Sequence, residues 1–302
     1  MNWWKELKGR VSLNEPLSAH TGFKTGGPAR FFVEPKDDLD LRLLFKLARK
    51  NKLPVAVIGA GSNLLVADKG VKKIVVRLSS PYFRKVVFNG DSAQARAGTR
   101  LNRLIRSARE KGLSGFEFLT GIPGTVGGAL WMNAGISEKN EAGRIVTKSI
   151  GELVENVTLM DYNGRIKSLD KARIKFGYRK AGFPRCVILS ARFKLRKAGK
   201  KEISAKVLGY LSRRKLSQDL SFPSCGCAFK NPRGNKAGRL IDLCGLKGKK
   251  LNGAAVSRKH ANFILNSGGA KSRDILKLME LIKKEVKNKF NITLKPEIKI
   301  WN

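Results

Sequence analysis

Three short stretches carry residue types that do chemistry. The first is Gly121-Ile122-Pro123-Gly124-Thr125-Val126-Gly127-Gly128-Ala129, followed by Asn133-Ala134-Gly135. Four glycines in eight positions (121, 124, 127, 128) leave the backbone bare, and Pro123 fixes one φ. A structural turn rarely needs so many glycines, whereas a flat cofactor lying against main chain does. The second stretch is Gly59-Ala60-Gly61-Ser62-Asn63-Leu64-Leu65. Its small residues would let backbone N–H groups approach a diphosphate, with Ser62 and Asn63 adding side-chain donors. It reads equally as a plain tight turn: it is neither a Walker A loop, which would end in Gly-Lys-Ser/Thr, nor a full dinucleotide fingerprint. The third is Cys225-Gly226-Cys227, which with only two histidines in the chain and no other close cysteine does not make a zinc site. No metal is expected.

The elements that must hold these stretches can be read from hydrophobic periodicity. A strand over Ala29 to Val33 precedes a helix capped by Asp37 and running to about Lys50, with Leu41, Leu43, Leu44 and Leu47 on its apolar side. Val55 to Ile58 is a short strand that runs into the Gly59 turn, and Val71 to Arg77 is another. A helix from Leu101 to about Lys111 comes before the Gly121 run. Strands follow at Leu153 to Asp161, Arg165 to Leu169 and Val187 to Leu195, the first two joined by an Asn163-Gly164 hairpin turn. Helices are expected around Glu202 to Leu211, Ala237 to Cys244 and Ser272 to Phe290, with strands at Ala254 to Ser257 and Asn262 to Leu265. The fold class is α+β in three compact stretches, 1–79, 80–198 and 199–302.

A chain of 302 residues has room for about two domains at roughly 150 residues each. Lys+Arg exceed Asp+Glu by 62 − 23 = 39, yet 42% of residues are hydrophobic, which sets the chain apart from a disordered basic tail. The positive residues run from Lys5 to Lys299, and clusters such as Arg213-Arg214-Lys215 are short. No zinc-finger spacing or aromatic recognition run accompanies them, so a solvated basic surface is expected rather than specific nucleic-acid binding. No apolar run nears the ~18 residues of a membrane span, and the N-terminus lacks a secretory apolar stretch. Four cysteines do not make a disulfide scaffold, and a reducing cytoplasm is the expected location.

The motifs together resemble the UDP-N-acetylenolpyruvoylglucosamine reductase (MurB) family, from about His20 to Trp301. They occur in family order: Thr21 to Ala29, Gly59 to Leu65, Gly121 to Ala129 with Asn133 to Gly135, Gly177-Tyr178-Arg179, Ser224 to Pro232, Ala237 to Ile241, Ser257 to Phe263 and Pro296-Glu297-Ile298. The resemblance implies a two-part FAD-binding region of the vanillyl-alcohol-oxidase type and a C-terminal α+β substrate-binding domain. Residues 1–79 would form the first FAD-binding part, to which the final strand 297–302 can return. Residues 80–198 would form the second, and 199–302 the substrate domain. It also implies non-covalent FAD, NADPH as co-substrate, UDP-N-acetylglucosamine enolpyruvate as small-molecule substrate, a role in peptidoglycan synthesis, and a cytoplasmic monomer. The short stretch between Arg179 and Lys215 resembles the subtype that lacks an extra substrate-covering loop.

Carried over residue by residue, the resemblance gives three catalytic positions. Arg179 and Glu297 would hold and polarise a carboxylate conjugated to the reacting double bond, where a planar guanidinium suits the negative charge that develops. Glu297 would then need a raised pKa to be protonated beside a carboxylate. Cys227 stands where the family usually has a serine as proton donor. A thiol, with an ordinary pKa of about 8.5, can still deliver a proton. The flavin-contacting positions would be Gly59, Ala60, Gly61, Ser62, Asn63, Leu64, Gly121, Ile122, Pro123, Gly124, Thr125, Gly127, Gly128, Ala129, Asn133 and Gly135, with Thr25, Gly26 and Gly27 toward the adenine side. Tyr178, Lys215, Lys230, Asn231, His260 and Asn262 would face the substrate, although His260 reads nearly as well as a packed core residue. Two rivals are an alcohol or sugar-lactone oxidase of the same fold and a basic nucleic-acid binder. Against the first, the Gly59 loop offers no histidine for covalent flavin attachment. A flavin colour in the purified protein separates the second.

Overall fold

The computed structural model describes residues 2–139 and 142–302. Two compact units are present, and the chain passes between them repeatedly. One is built from residues up to 12, 32–59 and 74–212, the other from 13–31, 60–73 and 213–302.

In the first unit, the strand Val55–Ile58 pairs in parallel with Val71–Arg77, from Val55 opposite Ile74 to Ile58 opposite Arg77. The helix Asp38–Lys50 leads into this pair. Asp37 caps it by accepting from the Asp40 N–H, and Leu41, Leu44, Phe45, Leu47 and Ala48 form its buried face. Each such side chain contributes about 1.5–3 kcal/mol on full burial. Asp40 is buried too, and its carboxylate accepts from the N–H groups of Lys8, Gly9 and Lys36 at 2.8–2.9 Å, which anchors the N-terminal segment.

The larger sheet of this unit is antiparallel. Its order is Ile166–Asp170, Val154–Asp161, Cys186–Lys194, Ser92–Arg96, Val86–Asn89. Cys186–Lys194 is the central strand and is buried over Cys186 to Ala191, matching its unbroken apolar run. The edge strand Ile166–Asp170 is mostly exposed and polar, as an unpaired edge should be. The hairpin between the first two closes where expected: Gly164 takes φ +83°, and the Asp161 carboxylate accepts from the N–H of Asn163 and of Arg165.

The second unit packs a sheet ordered Ser224–Cys227, Phe263–Asn266, Ala254–Val256, Lys250–Leu251 against the helix Ser272–Phe290. Ile275, Leu278, Met279, Ile282 and Val286 recur at helical spacing and meet Phe229, Ile241, Val256 and Ile264 in one core. The helix stops at Asn291, which takes the left-handed φ of +55° that ends helices. The last strand, Lys299–Trp301, runs parallel to Leu64–Val66, with Lys299 opposite Leu64.

Two elements depart from the sequence reading. The Gly121 run is not wholly loop, since its second half opens the helix Val126–Trp131. The helix expected around Glu202 to Leu211 extends over Lys200–Ser217 and so carries Arg213, Arg214 and Lys215 in its last turn.

Candidate active site

In the first unit the two glycine stretches meet. A Cβ on Gly59 would lie 2.8 Å from Thr125 Oγ1, so the strand end and the Gly121 run approach to a distance that favours glycine. Thr125 caps the helix Val126–Trp131 by accepting from the Gly128 N–H at 3.3 Å. The run is stitched to a neighbouring segment: the N–H groups of Val126 and Gly127 donate to the Thr99 and Ala97 carbonyls, and that of Leu101 donates to the Gly124 carbonyl. Gly121 takes φ +77°, and Gly121 and Pro123 are exposed. A Cβ on Gly128 would touch only Thr125 Oγ1, at 3.5 Å. The bare backbone of Gly59, Gly121 to Ala129 and the open face at Gly128 fit a flat group resting on main chain.

Asn133 and Gly135 serve the scaffold. Asn133, buried at φ +43°, accepts from the Gly151 N–H at 3.0 Å and donates to the Gly177 carbonyl at 3.1 Å. Both ends of its amide are thus used on backbone, and the expectation that its side chain contacts the flavin gives way to a brace for the Gly177 turn. Gly135 is required by the hairpin Gly135–Lys139/Ile145–Ser149, because a Cβ there would lie 2.1 Å from the Lys148 carbonyl oxygen. The turn that Asn133 braces presents Tyr178 and Arg179 between paired residues Gly177 and Lys180. Arg179 holds φ +53°, a costly conformation for a residue with a side chain, and its guanidinium lies 5.2 Å from the exposed Tyr178 ring.

In the second unit, residues far apart in sequence converge. The strand Ser224–Cys227 is bulged: Ser224 faces Leu265 and Cys227 faces Phe263, so three steps on one strand match two on the other. Gly226 absorbs the bulge at φ +75°. Bulges of this kind re-aim a side chain, and here the side chain is the half-buried Cys227 thiol. Glu297 is brought alongside by a bridge between Phe229 and Pro296 and by its own N–H, which donates to the Ala228 carbonyl at 2.8 Å. Asn63 joins them, donating from its amide to the Glu297 carbonyl at 3.2 Å while its own carbonyl accepts from Lys299 N–H. The run Gly61 to Leu64 is pinned from the other side by Cys225, whose buried thiol points at the Leu64 carbonyl (3.4 Å). Burial pushes that thiol up to about 12, so of the two cysteines only Cys227 is placed to exchange a proton.

The remaining expected residues divide between groove and scaffold. Lys215 is exposed and lies on an open groove of about 440 Å³ lined by Gln218, Asp219, Leu220, Ser221 and Lys259. Lys259 Nζ donates to the Lys215 carbonyl. Ser221 hydrogen bonds to Asp219 and holds its carboxyl below the usual range. Lys230 is half-buried on the segment that runs beside Lys295. Asn231 Oδ1 accepts from the Ala237 N–H at 3.0 Å, starting the helix Ala237–Leu243.

Asn262 corrects its expected role. Its buried amide accepts from the Phe229 N–H at 3.0 Å and donates to the Phe229 carbonyl at 2.8 Å, so both ends are occupied by backbone. His260 is packed 4.8 Å from the Phe263 ring, its Nδ1 accepts from the Asn262 N–H, and burial lowers its pKa. Thr25, Gly26 and Gly27 also have packing partners: Thr25 is buried against Ser272 Oγ at 3.0 Å, and Cβ atoms on the two glycines would collide with Val66 and Asp68. Sequence reading passed over Arg214 and Gln218, which it saw only as part of a charge cluster and a polar loop. Among the described residues, no group of three or more His, Cys, Asp or Glu could hold a metal ion. Nor is any helix long and apolar enough to cross a membrane.

Residues 29–170 match the family described as FAD binding domain. With the α+β architecture above, that makes the chain a flavin-dependent oxidoreductase with a separate C-terminal domain. Residues 218–301 match the family described as UDP-N-acetylenolpyruvoylglucosamine reductase, C-terminal domain. The UDP-N-acetylenolpyruvoylglucosamine reductase of Caldanaerobacter subterraneus subsp. tengcongensis is 41% identical over 97% of this chain and 94% of its own length. The reductase of Geotalea uraniireducens is 40% identical over 97% and 95%. The crystal structure of the reductase from Thermus caldophilus superposes with a TM-score of 0.80 at 34% identity, covering 98% of this chain and all of that one. The chain belongs to the UDP-N-acetylenolpyruvoylglucosamine reductase family.

Proposed function

We propose that the protein reduces UDP-N-acetylglucosamine enolpyruvate to UDP-N-acetylmuramate, with NADPH as reductant, in the cytoplasmic synthesis of peptidoglycan. When bound, FAD supplies two-electron chemistry, accepting hydride from NADPH and passing it from N5 to C3 of the enolpyruvyl group. Gly59 and Gly121 to Ala129 would hold it non-covalently on main chain, within a division of the sequence into 1–79 and 80–198 for the cofactor and 199–302 for the substrate. Hydride addition loads negative charge onto the substrate carboxylate and C2. Arg179, fixed in its turn by Asn133 through Gly177, offers a planar cation for that charge. Glu297, protonated, would share a hydrogen with the carboxylate. Cys227 gives its proton to C2 and is reprotonated from solvent, so the double bond gains one hydride and one proton. Lys215 and Lys259 on the groove, with Lys230, suit the substrate diphosphate.

The observation that carries this reading is the meeting of Cys227 and Glu297, 70 residues apart, through the Glu297–Ala228 hydrogen bond. An acid and a carboxylate-facing group side by side fit protonation of a carbanion better than alcohol oxidation. Stopped-flow absorbance tests it. NADPH should bleach the flavin near 450 nm, and the enolpyruvyl substrate should then restore the colour anaerobically. Bleaching without recolouring refutes the proposal.

A further inference from the structure

Cys227 has a cation close to it that the sequence motifs do not mark. Arg214 stands in the last turn of the helix Lys200–Ser217 between exposed Arg213 and Lys215, but is itself half-buried. Its Nε donates to Gln218 Oε1 at 2.8 Å, one turn along. That bond fixes the plane of the guanidinium. Burial draws the Arg214 pKa down, and the charge that draws it back up is Cys227. A guanidinium acted on by the thiolate must act on it equally in return.

We propose that Arg214, braced by Gln218, is a positioning residue for Cys227, directing the thiol and setting the pH at which it gives up its proton. The proposal rests on the reading of Cys227 as proton donor. A serine hydroxyl stays protonated at any working pH and has little need of such a neighbour. A thiol titrates near 8.5, and a cation within a few ångströms lowers that by about 1–3 units. Other charged groups lie on the elements around Cys227. They are Arg213, Lys215 and Asp219 near the helix end, Lys230 three residues on, Lys259 and His260 before Phe263, and Glu297 beside Ala228. His260 is held toward its neutral form by burial, and Asp219 is bonded to Ser221. Arg214 differs from the lysines in being half-buried with its plane fixed, so its field on the thiol is screened less by water.

The test is alkylation of the flavin-loaded protein by iodoacetamide between about pH 6 and 10, with intact mass as readout. Cys225 and Cys186 are buried, with thiols pushed up to about 12 and about 11, and burial also raises Cys244. Label appearing at lower pH therefore reports Cys227, and Cys227→Ser supplies the background. Arg214→Gln should move the alkylation midpoint up by about one pH unit, and Arg214→Lys should return most of it. The alkaline limb of flavin reoxidation by substrate should move with the same midpoint. An unmoved midpoint in Arg214→Gln with flavin bound overturns the proposal. If Arg214→Gln does not retain flavin, Gln218→Leu carries the test, because freeing the guanidinium must also raise the midpoint, and no change there overturns it. The two readings fail separately. A shifted midpoint without turnover defeats the functional reading, whereas turnover with an unmoved midpoint defeats this one.

Discussion

Proton delivery at Cys227 is a question of one atom. Sulfur is larger than oxygen and its hydrogen more acidic, so the thiol can protonate a carbanion at C2 from a bulge that Gly226 aims. Cys227→Ser keeps a donor of similar shape and should retain substantial turnover. Cys227→Ala removes it and should slow substrate-driven flavin reoxidation by about 10²–10⁴ while leaving flavin reduction by NADPH intact. Single-turnover measurement of each half-reaction decides the matter. If both half-reactions fall equally, Cys227 serves binding or folding instead of proton transfer. The identity of this residue and its place in a Ser-Cys-Gly-Cys run could be read from sequence alone. Its neighbour Arg214 could not, because a basic triplet in a chain with 62 Lys and Arg gives no sign of which member is half-buried.

At the scale of elements, the site depends on asparagines that tie segments together. Asn262 spans the backbone of Phe229 at both ends, and Asn133 links Gly151 to Gly177. Asn262→Leu would leave the Phe229 N–H and carbonyl unpaired in a buried setting, a loss of about 2–5 kcal/mol at about 1–3 kcal/mol per orphaned group. Urea unfolding should show that loss, and because the same segment carries Cys227 and meets Glu297, substrate affinity should fall with it. A stability within about 0.5 kcal/mol of the parent would mean that water replaces both bonds. These braces explain which parts of the fold were legible. The helices Asp38–Lys50 and Ser272–Phe290 and the central strand Cys186–Lys194 write their burial into a local period, and each emerged within a residue or two of its expected bounds. The helix Val126–Trp131 was hidden by its glycines, whose low propensity is overridden by the Thr125 cap and the tie to Ala97 and Thr99. Asn262 and Asn133 lie in motifs that suggest ligand contact, and nothing local tells a ligand from the backbone of a segment 33 or 44 residues away.

For the whole molecule, the largest unexplained number is the charge of +39. Mutual repulsion among so many cations costs stability, and fixed positive charge on a protein speeds the arrival of anions. The proposed substrate carries a diphosphate and a carboxylate, and NADPH carries three phosphate groups, so both should be drawn in by the long-range field. Salt separates this effect from chemistry at the site. The Debye length falls from about 30 Å at 0.01 M to about 3 Å at 1 M, which removes long-range attraction but leaves contacts at 3 Å largely intact. Raising KCl from about 0.02 to 0.5 M should therefore lower kcat/KM for both reactants by about tenfold or more while changing kcat by less than about twofold. A matched neutral solute should have no such effect. If kcat/KM stays flat across the series, the surplus charge plays no part in capture, and the lysines of the groove act only once the anion has arrived.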